Sequence, residues 1–226
     1  MIVGAFNMGK IYLFTPEQEI ILNQIEKDSY LKSNFYFTGG TALSYLYLQH
    51  RHSEDLDFFS TNKLDEEKIF STVTKWSKTY NFSFEPQMKN VVYIFLLSFN
   101  NRIQLKIDFG YYPYQRVEQG TLYKNLDVDS LLDIAINKFI TIHQRASVKD
   151  FVDLFFLLKK FTIWDIMYGA EKKFRMKNDP FILSANILDK IEEFDYLPKM
   201  IKPLTLDELK SFFRQKAKEI GSKAVE

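Results

Sequence analysis

The chain has 226 residues, 46% of them hydrophobic and 26% charged, with a formal net charge of +1; that is enough for one large domain or two small ones with a sizeable core. It contains no cysteine, which excludes disulfides and thiol catalysis, and its balanced charge excludes an overall electrostatic drive toward nucleic acid or membrane. No run approaches the roughly 20 apolar residues of a membrane span, and the opening MIVGAFNMGKIYLF is interrupted by Lys10 and does not read as a signal peptide, so a soluble, cytoplasmic protein is expected.

Thr15-Pro16-Glu17-Gln18 is a helix start, with Thr as N-cap, Pro in the first turn and Gln at the third position. EIILNQIEKDSYL continues it with helical apolar spacing. NFYFTGG reads as a short strand ending in a glycine turn, TALSYLYLQH as a short apolar helix, DLDFFS as a strand, and LDEEKIFSTVTKWSKTY as an amphipathic helix. FSFEPQ, VVYIFLLSF and IQLKIDFG are strands, the last two joined by Asn100-Asn101 as a two-residue hairpin turn. From Asp129 onward the period changes to helical in five successive segments, and the change falls in the weakly periodic stretch from Tyr112 to Leu126. The expected fold class is α+β: a small mixed sheet with flanking helices over residues 1–125, then a helical bundle over residues 126–226.

Two aspartates, Asp55 and Asp57, interrupt the apolar strand at positions i and i+2. Strand alternation turns both to one side and Leu56 and Phe58 to the other. Asp108 sits near the end of another strand, again among apolar residues. Three carboxylates projecting from adjacent strands suit divalent cations such as Mg²⁺, which takes oxygen ligands and substrate phosphates. A two-metal clamp of that kind serves phosphoryl or nucleotidyl transfer. The plainer account of any single one of these aspartates is a solvated strand end or an ion-pair partner.

Gly39 and Gly40 close a strand and open a helix, a turn in which backbone N–H groups can approach a phosphate, with the Thr41 hydroxyl beside them. A tight turn with no ligand explains the same pair. In the helical half, Lys138 and Arg145 are seven apart and share a helix face, and Asp150 and Asp153 are three apart and adjacent on the next helix. Lys138 and Arg145 also read as a solvated basic face, and the two aspartates as favourable charge at a helix start. For Asp150 an ion pair to Lys138 or Arg145 stands level with a direct catalytic role. His50 and His52 make a weak zinc signal without a third nitrogen or sulfur ligand; Arg51 and Ser53 are read as positioning the strand that follows or touching phosphate.

The stretch GGTALSYLYLQHRHSEDLDFF, followed in order by NKFITIHQRASVKDFVDLFFLL, resembles the two motifs of the AbiEii/AbiGii toxin family, nucleotidyltransferase-like proteins of the polymerase-β superfamily. The matches lie between residues about 37 and 158, and the last 65 or so residues carry no motif. The resemblance implies that Gly39 and Gly40 contact the nucleotide triphosphate and that Asp55 and Asp57 are metal ligands. It implies that Asp108 is the third acidic position, able to deprotonate the acceptor hydroxyl, and that Lys138 reaches a phosphate. Asp150 and Asp153 belong to the last motif. The turn departs from much of the superfamily in having Gly-Gly-Thr rather than Gly-Ser.

The function implied is Mg²⁺- or Mn²⁺-dependent transfer of a nucleoside monophosphate from an NTP to an acceptor hydroxyl, with the 3′ end of a tRNA or another RNA as candidate acceptor and an antitoxin as candidate partner. The rivals are a non-catalytic nucleotide- or partner-binding relative and an NTP-dependent phosphotransferase. A non-catalytic relative is expected to lack a metal carboxylate or the helical lysine, and neither is missing here. Basic segments between Lys159 and Lys177 and near the C-terminus suit either an RNA-facing surface or an ordinary solvated helix face.

Overall fold

A computed structural model describes residues 14–100, 102–145 and 147–223; the N-terminal segment through residue 13 and Asn101 of the expected hairpin lie outside them. Helix α1 (Pro16–Lys27) starts with the expected capping box, Thr15 accepting from the Gln18 backbone and Gln18 reaching back to Thr15. A short helix, α2 (Ser29–Asn34), leads into β1 (Tyr36–Thr38). The chain turns at Gly39 into α3 (Gly39–Ala42), which continues as a π-helical stretch over Leu43–Leu48. That wider winding shows in the bond from Gln49 N to the Ser44 carbonyl, five residues back, at 2.6 Å. Then come β2 (Leu56–Ser60), α4 (Glu66–Tyr80), β3 (Phe82–Lys89), β4 (Val92–Phe99) and β5 (Gln104–Tyr111). In the β4–β5 turn, Arg102 takes a positive φ of 65°.

Two short strands that weak periodicity conceals, β6 (Thr121–Tyr123) and β7 (Leu126–Val128), complete the sheet. The seven strands run in the order β3-β4-β5-β2-β1-β7-β6. The sheet is mixed: β2 is parallel to β5 and β1 to β7, and the other neighbours are antiparallel. The helices that follow are α5 (Leu131–Gln144), α6 (Val148–Leu157), α7 (Ile163–Phe174), α8 (Pro180–Glu192) and α9 (Leu206–Lys223). The expected α+β architecture, a mixed sheet with helices followed by a run of helices, is the one observed. No helix of the described residues is long and apolar enough to cross a membrane.

The buried side chains form one cluster running from Ile21 on α1 through Phe37, Phe58 and Phe109 of the sheet to Phe139, Phe151 and Phe213 of the helices. The rings of Phe37, Phe58 and Phe109 stack across three neighbouring strands, with centroids 5.3 and 5.7 Å apart. One side of the central strands is therefore filled with aromatic packing, and the alternate residues of β2 and β5 face the other way. Backbone bonds strap the late chain to the early loop: His52 N donates to the Lys199 carbonyl, and Ile201 N and Lys202 N both donate to the His50 carbonyl.

Candidate active site

Strand register assembles the carboxylates. In the parallel pairing of β2 with β5, Asp57 stands directly opposite Asp108. Leu56, Phe58, Ile107 and Phe109 are fully buried on the core side, and Asp55, Asp57 and Asp108 are partly exposed. This is the alternation that the i, i+2 spacing predicts. Asp55 precedes β2, on a loop held by three anchors. Gln18 Nε2 donates to the Ser53 and Glu54 carbonyls, Tyr45 Oη donates to the Ser53 carbonyl, and Thr41 Oγ1 donates to the Asp55 carbonyl.

The glycine pair makes room for these side chains. Gly39 has φ +73°, and a Cβ there would lie 2.1 Å from Asp57 Oδ2, so the Asp57 carboxylate lies against bare backbone. A Cβ on Gly40 would lie 2.6 Å from Arg51 Nη2. Any L-residue at 39 meets both a strained φ and a carboxylate.

Two clefts meet here. One, of about 330 Å³, is lined by Asp55, Asp57, Asp108, Lys106, Arg51 and Asp150, with Gly40, Lys138 and Arg145. The other, of about 450 Å³, shares Gly40, Asp57, Lys138 and Arg145 and adds Gly39, Asn137 and Thr141 to an aromatic and apolar wall of Phe59, Tyr112, Tyr114, Phe174 and Met176. The second cleft thus combines charged groups with an aromatic and apolar lining, a combination that suits a nucleotide. Thr41 is buried behind the first cleft and lines neither, so its hydroxyl ties down the Asp55 loop and does not reach a phosphate from there.

Burial, with the Asp108 charge beside it, raises the Asp57 carboxyl to about 6, against the pull of Lys106. Burial also raises Asp108, with Lys106 opposing. Lys106 Nζ lies 2.7 Å from Asp108 Oδ2 and 3.4 Å from Asp55 Oδ2. No motif singles out this lysine, although its i, i+2 spacing from Asp108 puts it on the same strand face. Among the described residues no three His, Asp or Glu side chains stand ready as a coordination shell; an ammonium sits among the carboxylates, and Asp108 Oδ1 is buried with no partner.

The two aspartates of the helical motif serve different neighbours. Asp150 accepts from Lys138 Nζ at 2.7 Å and from Arg145 Nε at 2.9 Å, the ion pair anticipated as one of its two readings. Asp153 is fully buried and lines neither cleft. It accepts from His50 Nε2 at 2.7 Å and from Arg51 Nε and Nη2 at 2.7 and 2.8 Å, and it meets Lys138 Nζ at 2.7 Å. His50 and Arg51 are thus buried ion-network residues. Burial holds His50 below its ordinary range, so the ring is neutral and donates its Nε2 proton. His52 is exposed.

Behind the second cleft, Asp129 is fully buried. Its Oδ2 accepts from Thr38 Oγ1 at 2.8 Å and Asn137 Nδ2 at 3.3 Å, and its Oδ1 has no partner among the described residues. Burial raises its carboxyl to about 7, with the Lys173 charge working against the rise. Between roughly pH 4 and 7 the folded chain keeps a proton that the unfolded chain has lost, so stability falls as pH rises through that window and the full cost is present above it. Asp129→Asn removes the charge and keeps the shape. The variant is expected to match the parent in urea unfolding near pH 4 and to exceed it above pH 7 by up to about 4 kcal/mol. A stability gap that does not change with pH would show that Asp129 stays ionised in the fold.

Known proteins resemble this chain in sequence and in fold. A family model described as "Nucleotidyl transferase AbiEii toxin, Type IV TA system" matches residues 20–225. An uncharacterized protein of Aquifex aeolicus strain VF5, aq_aa25, is 34% identical over 196 residues, 83% of this chain and 88% of its own length. The crystal structure of an H. pylori protein provisionally named a nucleotidyltransferase superposes with a TM-score of 0.58 at 19% identity, covering 94% of this chain and 98% of that one. That of JHP933 from Helicobacter pylori does so at 0.57 and 20%, over 92% and 91%. At those identities the two structures speak for the fold.

Proposed function

The chain belongs to the AbiEii nucleotidyl transferase toxin family, and from that premise we propose that it moves a nucleoside monophosphate from an NTP to an acceptor hydroxyl, releasing pyrophosphate, with a divalent cation held by Asp55, Asp57 and Asp108. The observation that carries the reading is the register of Asp57 opposite Asp108 in a cleft whose other wall is Lys138 and Arg145. The donor set fits such a cation. All donors are carboxylate oxygens, as Mg²⁺ or Mn²⁺ prefers, an ammonium already stands among them, and Asp108 Oδ1 is buried without a partner. When bound, Mg²⁺ supplies charge neutralisation for the triphosphate and for the attacking oxygen.

The chain's own residues do the rest by positioning and electrostatics. Gly39 and Gly40 present bare backbone where the triphosphate enters. Lys138, anchored by Asp150 and Asp153, and Arg145, anchored by Asp150, turn positive charge toward the phosphates. The base and sugar lie along the wall of Phe59, Tyr112 and Tyr114. Asp108 accepts the acceptor's proton at its carboxylate. Thr41 and Asp153 act through the groups they hold. The proposed division of labour is a catalytic unit over residues 1–125, whose sheet is completed by β7 (Leu126–Val128) from beyond that boundary, and a helical unit over the rest of residues 126–226 that supplies Lys138 and its anchors. The acceptor is an RNA 3′ end, tRNA first among candidates, and the setting is the cytoplasm. The family's toxin–antitoxin context supplies the expectation of an antitoxin partner.

The test is transfer from each of the four NTPs, labelled in turn at the α- and γ-phosphate, to total RNA with Mg²⁺. α-Label on RNA is the expected result. γ-Label on any acceptor would replace it with a phosphotransferase, and no transfer to RNA, protein or small acceptors would replace it with a binding module.

A further inference from the structure

Lys106 and Asp108 project from the same face of β5, and the Lys106 ammonium is bound to two of the three carboxylates of the site, Asp108 Oδ2 at 2.7 Å and Asp55 Oδ2 at 3.4 Å. The contact uses one oxygen of Asp108, and the other is buried with no partner. Asp55 is about half exposed at 47% and the Lys106 side chain is 34% exposed, so both can move without disturbing the strands. Lysine carries its charge on a flexible four-carbon stem and can leave by rotation about it. Asp57, fixed against Gly39 and opposite Asp108, has no such freedom.

We propose that Lys106 is a resident countercharge of the metal site: it gathers Asp55 and Asp108 in the metal-free protein and must give them up before those carboxylates hold a divalent cation. Three carboxylates, two on neighbouring strands and one on the loop before β2, repel one another without a cation between them, and the ammonium relieves that repulsion. Ammonium and metal then compete for the same oxygens, so whatever holds Lys106 in place weakens metal binding by the same factor. The inference rests on the reading of Asp55, Asp57 and Asp108 as metal ligands.

The experiment is Mn²⁺ binding to the full chain without nucleotide, followed by the loss of the free Mn²⁺ electron paramagnetic resonance signal at about 0.1 M salt. Lys106→Met is expected to bind Mn²⁺ more tightly than the parent by on the order of tenfold or more, since one nearby positive charge is removed from a partly desolvated site. Lys106→Gln keeps a neutral donor to Asp108, protects the fold, and is expected to tighten binding in the same direction. Lys149→Met, on the exposed rim of the same cleft, is expected to leave the affinity unchanged, which separates the local contact from net charge. Equal or weaker binding by both Lys106 variants overturns the inference and leaves the metal reading standing, as does equal tightening by Lys149→Met. No binding by parent or variants overturns the metal reading and the inference with it.

Discussion

Asp57→Ala is expected to lower the proposed nucleotidyl transfer by about a thousandfold or more and to leave a folded protein. The carboxylate lies between the Gly39 backbone and Asp108, at the meeting of the two clefts. A cation-holding carboxylate there supports several kcal/mol of transition-state charge stabilisation, and each 1.36 kcal/mol is tenfold in rate. The fold survives because this carboxylate works against it. Desolvation and the neighbouring Asp108 disfavour its charge. Asp57→Asn, unfolded by urea in the presence of a chelator, is therefore expected to be at least as stable as the parent, a separation of activity from stability common at functional sites. Full activity of Asp57→Ala in the labelled-NTP assay would remove Asp57 from the metal site.

The opposite balance holds at Asp153. Its carboxylate is fully buried and receives a neutral histidine, an arginine fork and a lysine. Burial would raise its carboxyl, but Lys138, Arg51 and His50 overcome that and hold it well below the usual carboxylate range. Asp153→Ala leaves Arg51 buried with no other ion pair among the described residues. Removing one partner of a buried pair typically costs about 3–5 kcal/mol, and that loss is expected in the urea unfolding free energy at neutral pH. Because the folded carboxyl is depressed, the stabilisation is present above the unfolded value near 4 and is lost only as pH falls well below it. Lys138 keeps Asp150 in this variant, so a double-mutant cycle between positions 138 and 153 is expected to give a smaller coupling, on the order of 1–3 kcal/mol. Unchanged stability in Asp153→Ala would mean that the network contributes nothing net to the fold.

These two aspartates look alike in the sequence. Each lies in an apolar segment with a second aspartate two or three residues away. One faces a cleft and one faces a buried arginine, and nothing local distinguishes them. The same limit hid Lys106 and Asp129. Asp127-Val128-Asp129 has the same spacing as Asp55-Leu56-Asp57, yet Asp127 pairs with Arg116 and Asp129 is buried behind the second cleft.

By itself the sequence determined the order of strands and helices, which face of β2 and β5 carries carboxylates, and the family, because periodicity, capping and motif spacing are local properties of the chain. The short strands β6 and β7 escaped it, since three-residue strands carry almost no period. Tertiary structure alone decided what each charge faces. Asp153 meets His50 across 103 residues, Asp57 meets Asp108 through strand register, and Thr41 turns to the Asp55 loop. Alternation reports the side a residue takes; only the folded chain brings the partner that makes a carboxylate on that side an anchor or a reactive group.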